Sequence, residues 1–362
     1  MDGRVVLPII ESITMGRKKG KRIFISKVLL VLVLVLVFVG GHWVYEKYNA
    51  IYQPNINLDG KQSQYFFIPT GTSYDQLLAL LYESEYVVNT ESFKWVALQK
   101  NLPKNVHPGR YLVSDQMSNN ALVNLLRSGN QVPVKVLIQP IRTKASFAQS
   151  IAHQIEADSS TILKSFNEID DSEYPRWPEL IIPNTYELYW NTSATEFMKR
   201  MQKEYNRFWN TERQGKAKAM GFSQKQVAVL ASIVDQETYI AKEKPIIAGV
   251  YVNRIKRGMR LEADPTLIFA MGDFTIKRVL DIHKKIDSPY NTYRHTGLPP
   301  GPICMPTISA LDGVLNYASH DYIFFCAKED FSGYHNFART YSQHRVNARK
   351  FRNELNKRRI WN

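Results

Sequence analysis

The chain has 362 residues, of which 44% are hydrophobic and 22% are charged. These are the proportions of an ordinary globular protein, so a long disordered chain is excluded and two or three domains can form. The formal net charge of +14 indicates an anionic partner such as nucleic acid, a lipid surface or a polyanionic wall. No helix-turn-helix, zinc-finger or RNA-binding pattern occurs, so nucleic acid is not an expected partner.

The cysteine content limits the metal and redox chemistry. Cys304 and Cys326 form neither a C-x-x-C pair nor a metal-ligand spacing. This pattern argues against a disulfide framework and against a zinc site, and it leaves open a single bridge between the two thiols. We therefore expect no metal and no other cofactor.

An apolar run from Val28 to Tyr45 lies near the N-terminus. As a helix it is about long enough to cross a hydrocarbon core of ~30 Å. A buried strand is one alternative, since valine and leucine alternate, but the run is longer than ordinary strands and both alternating sets are apolar. A cleaved signal peptide, with a weak cleavage site near Val39, is the other alternative.

The charge before this run predicts its orientation. Seven lysine and arginine residues precede Val28, and such a cluster is typical of the cytoplasmic side of a membrane helix. We expect residues 1–22 in the cytoplasm, a single-pass anchor over 23–45 in the cytoplasmic membrane, and the rest of the chain on the extracytoplasmic side.

A linker and a small mixed module are predicted next. Residues 46–64 are polar without sustained periodicity, which is typical of a linker. Residues 65–138 read as a strand, two helices and a second strand, followed by a helix and a strand, with Ser73 as an N-cap and Gly129 as a helix end. The first part of this order resembles a LysM-type module, a class that binds N-acetylhexosamine chains. A spacer domain without a ligand is the alternative.

A larger mixed domain is predicted over residues 142–358, because helical periodicity restarts after Pro140. Its segment from Trp177 to Trp190 is dense in aromatic residues and proline. This composition predicts irregular structure, either a packed loop or a saccharide-binding wall. The predicted fold class is therefore α+β, with one transmembrane helix, one small LysM-like α/β module and one larger mixed α+β domain.

One helix of the larger domain carries a carboxyl group on its apolar face. Val227, Leu230 and Val234 form one stripe of this helix. Glu237 continues the stripe one turn later, whereas Asp235 projects to the other side. Burial disfavours the ionised carboxylate, so the pKa rises and the group can donate a proton near neutral pH. The alternative is a helix-end glutamate that reaches solvent or caps a loop.

Polar and aromatic side chains follow this helix, several of them in segments rich in glycine and proline. Each such segment is either the lining of a carbohydrate cleft or an ordinary turn. The candidate substrate-binding residues are Asn253, Asp264, Thr266, Tyr290, Asn291 and Tyr293.

Six segments, in order and with consistent spacing, resemble signature segments of the MltG (YceG-like) family of endolytic lytic transglycosylases. They are ASIVDQET, GVYVNR, GMRLEADPT, SPYNTY, GLPPGPI and DYIFFCAKEDFSGYHNFARTYSQH. The resemblance implies a membrane-bound enzyme that cuts peptidoglycan glycan strands between N-acetylmuramic acid and N-acetylglucosamine and leaves 1,6-anhydromuramyl ends. It also makes proteins of a cell-wall synthesis complex candidate partners.

The resemblance assigns the catalytic role to Glu237. The family pattern has two acidic residues spaced E-x-E, of which the second is catalytic, and Asp235 stands here in place of the first. One acid can suffice because a lytic transglycosylase uses the C6 hydroxyl of the sugar as nucleophile. A hydrolytic muramidase needs a second carboxylate, for which Asp264 is the candidate. A non-catalytic peptidoglycan-binding scaffold is the remaining alternative.

Overall fold

The computed structural model describes residues 11–168, 177–276 and 278–358. The first ten residues of the predicted cytoplasmic segment lie outside the described residues. The chain forms two compact units, Met1–Val132 and Pro133–Asn362, and each unit has its own hydrophobic core.

Helices and short strands alternate along both units. The helices are α1 (Glu11–Tyr52), α2 (Tyr74–Glu83), α3 (Thr90–Gln99), α4 (Asn119–Ser128), α5 (Lys144–Ala152), α6 (Ser159–Asn167), α7 (Ala194–Phe208), α8 (Thr211–Ala219), α9 (Gln224–Glu237), α10 (Lys244–Lys256), α11 (Asp264–Met271), α12 (Ile308–Leu315) and α13 (Tyr341–Lys357). The strands are β1 (Ser63–Ile68), β2 (Gly109–Ser114), β3 (Val134–Leu137), β4 (Thr185–Leu188), β5 (Phe324–Ala327) and β6 (His335–Ala338). They form three antiparallel pairs, β1–β2, β3–β4 and β5–β6. The predicted α+β class is confirmed.

Helix α1 contains the predicted apolar run. Its segment Ser26–Tyr52 has 27 residues, and the most apolar window of this segment has a mean hydropathy of 2.5 and is exposed throughout. A helix of this length and composition is sufficient for one membrane span. The exposed rings of Trp43 and Tyr45 lie toward its C-terminal end, where interfacial aromatic residues are common.

The C-terminal end of α1 packs into the first unit. Asn119 Nδ2 donates to the Ala50 carbonyl at 2.9 Å, and Asn55 Nδ2 donates to Asn119 Oδ1 at 2.7 Å. Ile56 is 1% exposed in the core of this unit. The segment 46–64, predicted to be a linker, therefore differs from that prediction and takes part in the first unit. One of its polar residues, Asn55, is buried and bonds to Asn119 of α4, outside the segment.

The strand and helix order of the first unit follows the sequence pattern up to β2 and α4. Ser73 caps α2 by accepting from Gln76 N at 3.3 Å, and Gly129 ends α4 at φ 68°, so both predicted helix ends are confirmed. The likeness to a LysM module stays a prediction.

Strand β3 lies beyond this unit, although the sequence pattern places it in the module. It pairs with β4, so the unit ends at Val132 rather than at residue 138. Strand β4 also corrects the prediction that Trp177 to Trp190 is irregular throughout. Local sequence pattern does not reveal a strand whose partner is far along the chain.

Helix α9 lies in the core of the second unit. Its residues from Val227 to Asp235 are all buried, and it packs against α10 and α12. The helix begins with a capping box in which Gln226 N donates to Ser223 Oγ at 3.2 Å and Ser223 N donates to Gln226 Oε1 at 2.8 Å. The packing of α9 and its N-terminal cap together fix the position of this helix in the core of the second unit.

Asp235 joins α9 to its two neighbouring helices. Its Oδ1 accepts from Lys244 Nζ of α10 at 2.5 Å, and its Oδ2 accepts from the backbone N of Thr307, the N-cap of α12, at 2.9 Å. The Lys244 and Asp235 side chains are 5% and 7% exposed. Asp235 thus has a structural partner on the side of α9 that faces α12.

Replacing Asp235 with asparagine is expected to lower the free energy of unfolding by about 3 kcal/mol, because the buried Lys244 ammonium loses its counter-charge. Urea unfolding of the full chain in detergent measures this change. In the control variant Asp281→Asn, the lost ion pair with Lys284 involves an aspartate that is 94% exposed. A change below about 1 kcal/mol is expected there. Equal losses in the two variants would contradict the structural role of Asp235.

Candidate active site

Glu237, the last residue of α9, lines a cleft of about 340 Å³ in the second unit. Helices α10 and α11, strand β5 and the first turn of α13 supply most of the other walls. The lining residues are Glu237, Tyr251, Arg254, Leu261, Glu262, Asp264, Tyr293, Phe324, Phe325, Tyr341 and His344. Such a cleft offers aromatic faces together with a few polar groups that can orient a ligand.

The Glu237 carboxyl group is half-buried and has one close neutral partner. Tyr251 Oη, from the facing helix α10, donates to Glu237 Oε1 at 2.7 Å. Burial raises the pKa of Glu237 to about 7, against the Tyr251 hydrogen bond, which lowers it; the Asp264 carboxylate raises this pKa and the Arg254 guanidinium lowers it. Both protonation states of Glu237 are therefore populated near neutral pH.

The position of Glu237 at the end of α9 also favours a raised pKa of its carboxyl group. Thr238 has extended backbone and ends the helix, so the carboxyl group lies beside the negative end of the helix dipole. Burial also raises the pKa of Tyr251 well above its usual range, and the neighbouring Glu237 charge acts in the same direction. The Tyr251 hydroxyl therefore remains a hydrogen-bond donor.

Arg254 of α10 holds three chain segments of the cleft wall together. Its Nε donates to the Ile323 carbonyl at 2.7 Å and its Nη1 to the Leu261 carbonyl at 2.9 Å. Nη1 also lies 3.1 Å from Glu262 Oε2. This buried guanidinium thus holds α10, the segment before α11 and the segment before β5 together around the cleft.

Asp264 and Tyr293 form a second hydrogen-bonded pair in the cleft. Tyr293 Oη donates to Asp264 Oδ1 at 2.6 Å, and Asp264 is the first residue of α11. Burial and this hydrogen bond raise the pKa of Tyr293, so its hydroxyl keeps its proton. The exposed Asp264 carboxylate is thereby oriented at the rim of the cleft.

The structure brings together three of the residues predicted from sequence. Glu237, Asp264 and Tyr293 line the same cleft. Tyr290 lines a different cleft of the second unit, where its ring lies 4.7 Å from that of Phe269.

The other three predicted residues lie outside the cleft and bond to backbone. Asn253 Nδ2 donates to the carbonyls of His320 and Tyr322 at 2.6 and 3.0 Å. Asn291 is fully buried and donates to two carbonyl groups of the preceding turn at 2.8 and 2.9 Å. Thr266 is buried and donates to a carbonyl one turn earlier at 2.7 Å. These contacts stabilise the loops that carry the cleft.

Sequence reasoning missed much of the aromatic wall. Several aromatic residues of the cleft are not among the predicted site residues, although all lie in the segments that carry the family resemblance. Among them are Tyr251, Phe324, Tyr341 and His344. The His344 ring stacks on Phe324 with centroids 5.3 Å apart, and burial lowers the pKa of His344. The available signal was the aromatic content of these segments, above all of residues 321–344, which is also typical of plain core packing.

Metal-binding clusters and the two cysteine thiols are the features of the described residues that bear on metal and redox chemistry. Within residues 11–168, 177–276 and 278–358, no cluster of three or more histidine, cysteine, aspartate or glutamate side chains could hold a metal ion. Cys304 and Cys326 are free thiols, and burial raises the pKa of Cys304 to about 12.

The YceG-like family model matches residues 66–350, and the chain belongs to this family. The endolytic murein transglycosylase of Bacillus subtilis is 27% identical over 343 residues, which cover 89% of this chain and 93% of that protein. The endolytic murein transglycosylase of Streptococcus pneumoniae is 24% identical over 81% of this chain and 59% of that protein. The crystal structure of a YceG-like protein from Listeria monocytogenes shares the fold, with a TM-score of 0.51 and 24% identity over 79% of this chain and 99% of that chain. The family predicted from the six sequence segments is confirmed.

The raised pKa of Glu237 predicts a pH-dependent stability. Between the ordinary value of 4.5 and about 7, the native state holds a proton that the unfolded state releases. The contribution of this group to stability therefore falls as the pH rises through that window. Glu237→Gln does not titrate, so its free energy of unfolding relative to wild type should rise by on the order of 1–3 kcal/mol between about pH 4.5 and about pH 7.5.

Urea unfolding at several pH values measures this difference. The control is Glu196→Gln, which keeps a side chain suited to the capping box at the start of α7 and changes an exposed carboxylate. The free energy of unfolding of Glu196→Gln should differ from that of wild type by a constant amount above about pH 5. A constant difference for Glu237→Gln over the same range would contradict the raised pKa.

Proposed function

We propose that this chain is a membrane-anchored lytic transglycosylase that cleaves the bond between N-acetylmuramic acid and N-acetylglucosamine in peptidoglycan strands. The observation that carries this proposal is the Glu237 carboxyl, whose pKa burial raises to about 7 in an aromatic-lined cleft. Membership of the YceG-like family and the names of the Bacillus and Streptococcus relatives support the class of reaction.

In the first step Glu237 acts as the general acid. Its protonated carboxyl donates to the glycosidic oxygen while the bond from the muramyl C1 to that oxygen breaks, and N-acetylglucosamine leaves with a new hydroxyl group. The Tyr251 hydroxyl then stabilises the carboxylate that has formed, because a hydrogen bond to a charged group is stronger than one to a neutral group. The positive charge of Arg254 acts in the same sense.

In the second step the Glu237 carboxylate acts as the general base. It accepts the proton of the muramyl C6 hydroxyl as the C6 oxygen bonds to C1, which closes the 1,6-anhydro ring and restores the protonated acid. No water is consumed. The attack is intramolecular, and this arrangement can contribute ~7–11 kcal/mol in favourable cases.

A hydrolytic muramidase is the second candidate function. The observation that favours it is the Asp264 carboxylate, which lines the same cleft as Glu237 and is oriented by Tyr293. In that reaction Asp264 would activate a water molecule, and the products would carry reducing ends. A non-catalytic wall-binding scaffold would have no need for a half-buried acid with this pKa.

The proposed location follows from α1. The apolar part of α1, within residues 23–45, would cross the cytoplasmic membrane once, with the basic N-terminal residues inside and the chain after the anchor outside. The first unit would serve as a LysM-like glycan-binding module or as a spacer. This arrangement would bring the cleft to newly made strands near the membrane surface, where proteins of wall synthesis are candidate partners.

Glu237→Gln is expected to reduce turnover of peptidoglycan by at least about 100-fold while the chain still folds, because glutamine keeps the shape and lacks the transferable proton. Wild-type products should end in 1,6-anhydromuramic acid, which mass spectrometry distinguishes from a reducing end by the mass of one water. Long uncrosslinked strands should shorten rapidly, because cuts inside strands are expected.

Glu196→Gln is the matched control and should keep wild-type turnover. Reducing ends on the wild-type products would instead assign the second reaction, with Asp264 as the base. A steady release of disaccharides would indicate an exolytic enzyme. Full activity of Glu237→Gln would contradict the assignment of the acid.

Tyr251→Phe is expected to move the falling limb of the pH–rate profile to higher pH by about one unit, because the carboxylate of Glu237 loses a hydrogen bond that lowers its pKa. Steady-state rates of the two proteins between about pH 5 and about pH 9 measure the shift. The control Tyr186→Phe removes another buried hydroxyl, which bonds to the Ile182 carbonyl at 2.6 Å. An unchanged limb in Tyr251→Phe, or an equal shift in the control, would count against this contact.

Protease added to intact spheroplasts should degrade the chain after Tyr48 and spare a tag at the N-terminus, because the basic cluster is expected to stay inside. Immunoblotting of the tag and of a C-terminal epitope reads the result. The control is the same treatment after detergent lysis, which should expose both ends. Protection of the C-terminal epitope in intact spheroplasts would reverse the topology and remove the wall as substrate.

A further inference from the structure

A second cleft, of about 300 Å³, lies in the same unit as Glu237. Its walls come from the segment before β4, the first turn of α9, helix α11 and the loop before α12. The lining residues are Arg142, Trp177, Pro178, Glu179, Lys225, Phe269, Tyr290, Pro300, Gly301, Pro302, Ile303 and Cys304. None of these residues takes part in the chemistry assigned to Glu237.

The second cleft shares its supporting elements with the first. In α11, Asp264 lines the first cleft and Phe269 lines the second, five residues further along the helix or about 7.5 Å along its axis. The loop that carries Tyr293 into the first cleft carries Tyr290 into the second. The two clefts therefore share α11 and this loop as wall elements.

The charged groups of the second cleft favour an anion. Arg142 and Lys225 contribute two positive charges, and Glu179, which is 6% exposed, contributes one carboxyl group. Arg142 is held in place, because it donates to Gln236 Oε1 and its guanidinium lies 4.5 Å from the centre of the Phe274 ring. An arginine fixed in this way is suited to bind a carboxylate through two parallel hydrogen bonds.

The aromatic groups of this cleft are also fixed. The Trp177 ring packs on Phe147 and Phe166 with centroids 5.1 and 5.4 Å apart, and Tyr290 packs on Phe269 at 4.7 Å. Rigid rings beside a cation suit a ligand with an apolar face and a negatively charged substituent. In a murein strand the muramyl residue has this combination, since its sugar ring carries a lactyl group or a peptide stem with a carboxylate.

We propose that the second cleft is a subsite for a muramyl residue of the glycan strand, in which Trp177 and Tyr290 contact the sugar and Arg142 and Lys225 bind a carboxylate of its substituent. The proposal rests on the proposed function, because it takes murein as the ligand. The Glu179 carboxyl accepts hydrogen bonds from hydroxyl groups of the same residue. The subsite would set which muramyl positions of a strand lie across Glu237.

Binding without turnover tests this subsite. The full chain carrying Glu237→Gln is titrated in detergent with three oligosaccharides of equal length: an N-acetylglucosamine oligomer, a stem-free muramyl glycan with lactyl carboxylates, and the same glycan with peptide stems. At least one carboxylate-bearing glycan should bind about tenfold more tightly than the neutral oligomer. High salt should reduce this preference.

Adding Arg142→Gln or Lys225→Gln should reduce the preference and leave binding of the neutral oligomer unchanged. The two variants are independent, because Lys225 is an exposed side chain whose loss should not affect folding. The control is Lys203→Gln, an exposed lysine of α7 that lines neither cleft, and it should keep the full preference. Circular dichroism confirms that each variant is folded.

The outcomes separate the subsite from the reaction. Preference for the stem-free glycan assigns the lactyl carboxylate, and preference for the stem-bearing glycan alone assigns the stem. Equal affinities for all three probes, or equal weakening of all three by Arg142→Gln, would overturn the subsite. If wild-type protein released no product from murein while the carboxylate preference persisted, the proposed reaction would fail and the subsite would stand.

Discussion

A carboxyl group at the end of a buried helix is the constraint on which the candidate site depends. Helix α9 is buried from Val227 to Asp235, and its last residue, Glu237, lies half-buried in the wall of a cleft. Desolvation makes the ionised form less favourable, and one neutral donor, the Tyr251 hydroxyl, keeps that form accessible. Donation and acceptance of a proton both become possible near neutral pH.

The same helix shows how spacing separates two acidic side chains. Residues two positions apart on an α-helix project about 200° apart. Asp235 therefore meets Lys244 and Thr307 in the interior, while Glu237 meets the cleft. The contacts of Asp235 hold the end of α9 in place, and Glu237 at this end lines the cleft. An aspartate with a short side chain suits the interior position, because its partners lie within hydrogen-bonding distance of it.

Sequence alone predicted what depends on local periodicity. The apolar run of α1, the cap at Ser73 and the stripe that ends at Glu237 follow from the order of residues along one element. The roles of Asn253 and Asn291 could not be predicted in this way. A buried amide that bonds to backbone and an amide that binds a ligand look the same in sequence, since their partners lie on other elements. The pairing of β3 with β4 and the burial of the segment after α1 depend on contacts of the same distant kind.

The central claim is that burial makes Glu237 a proton donor at neutral pH. Carbonyl-carbon NMR of protein labelled at glutamate side chains, with the spectrum of Glu237→Gln subtracted, isolates this one carboxyl group and follows its titration directly. The account predicts a pKa of about 7. Titration near the ordinary value of 4.5 would contradict it, because Glu237 would then be ionised at neutral pH and could not serve as the acid.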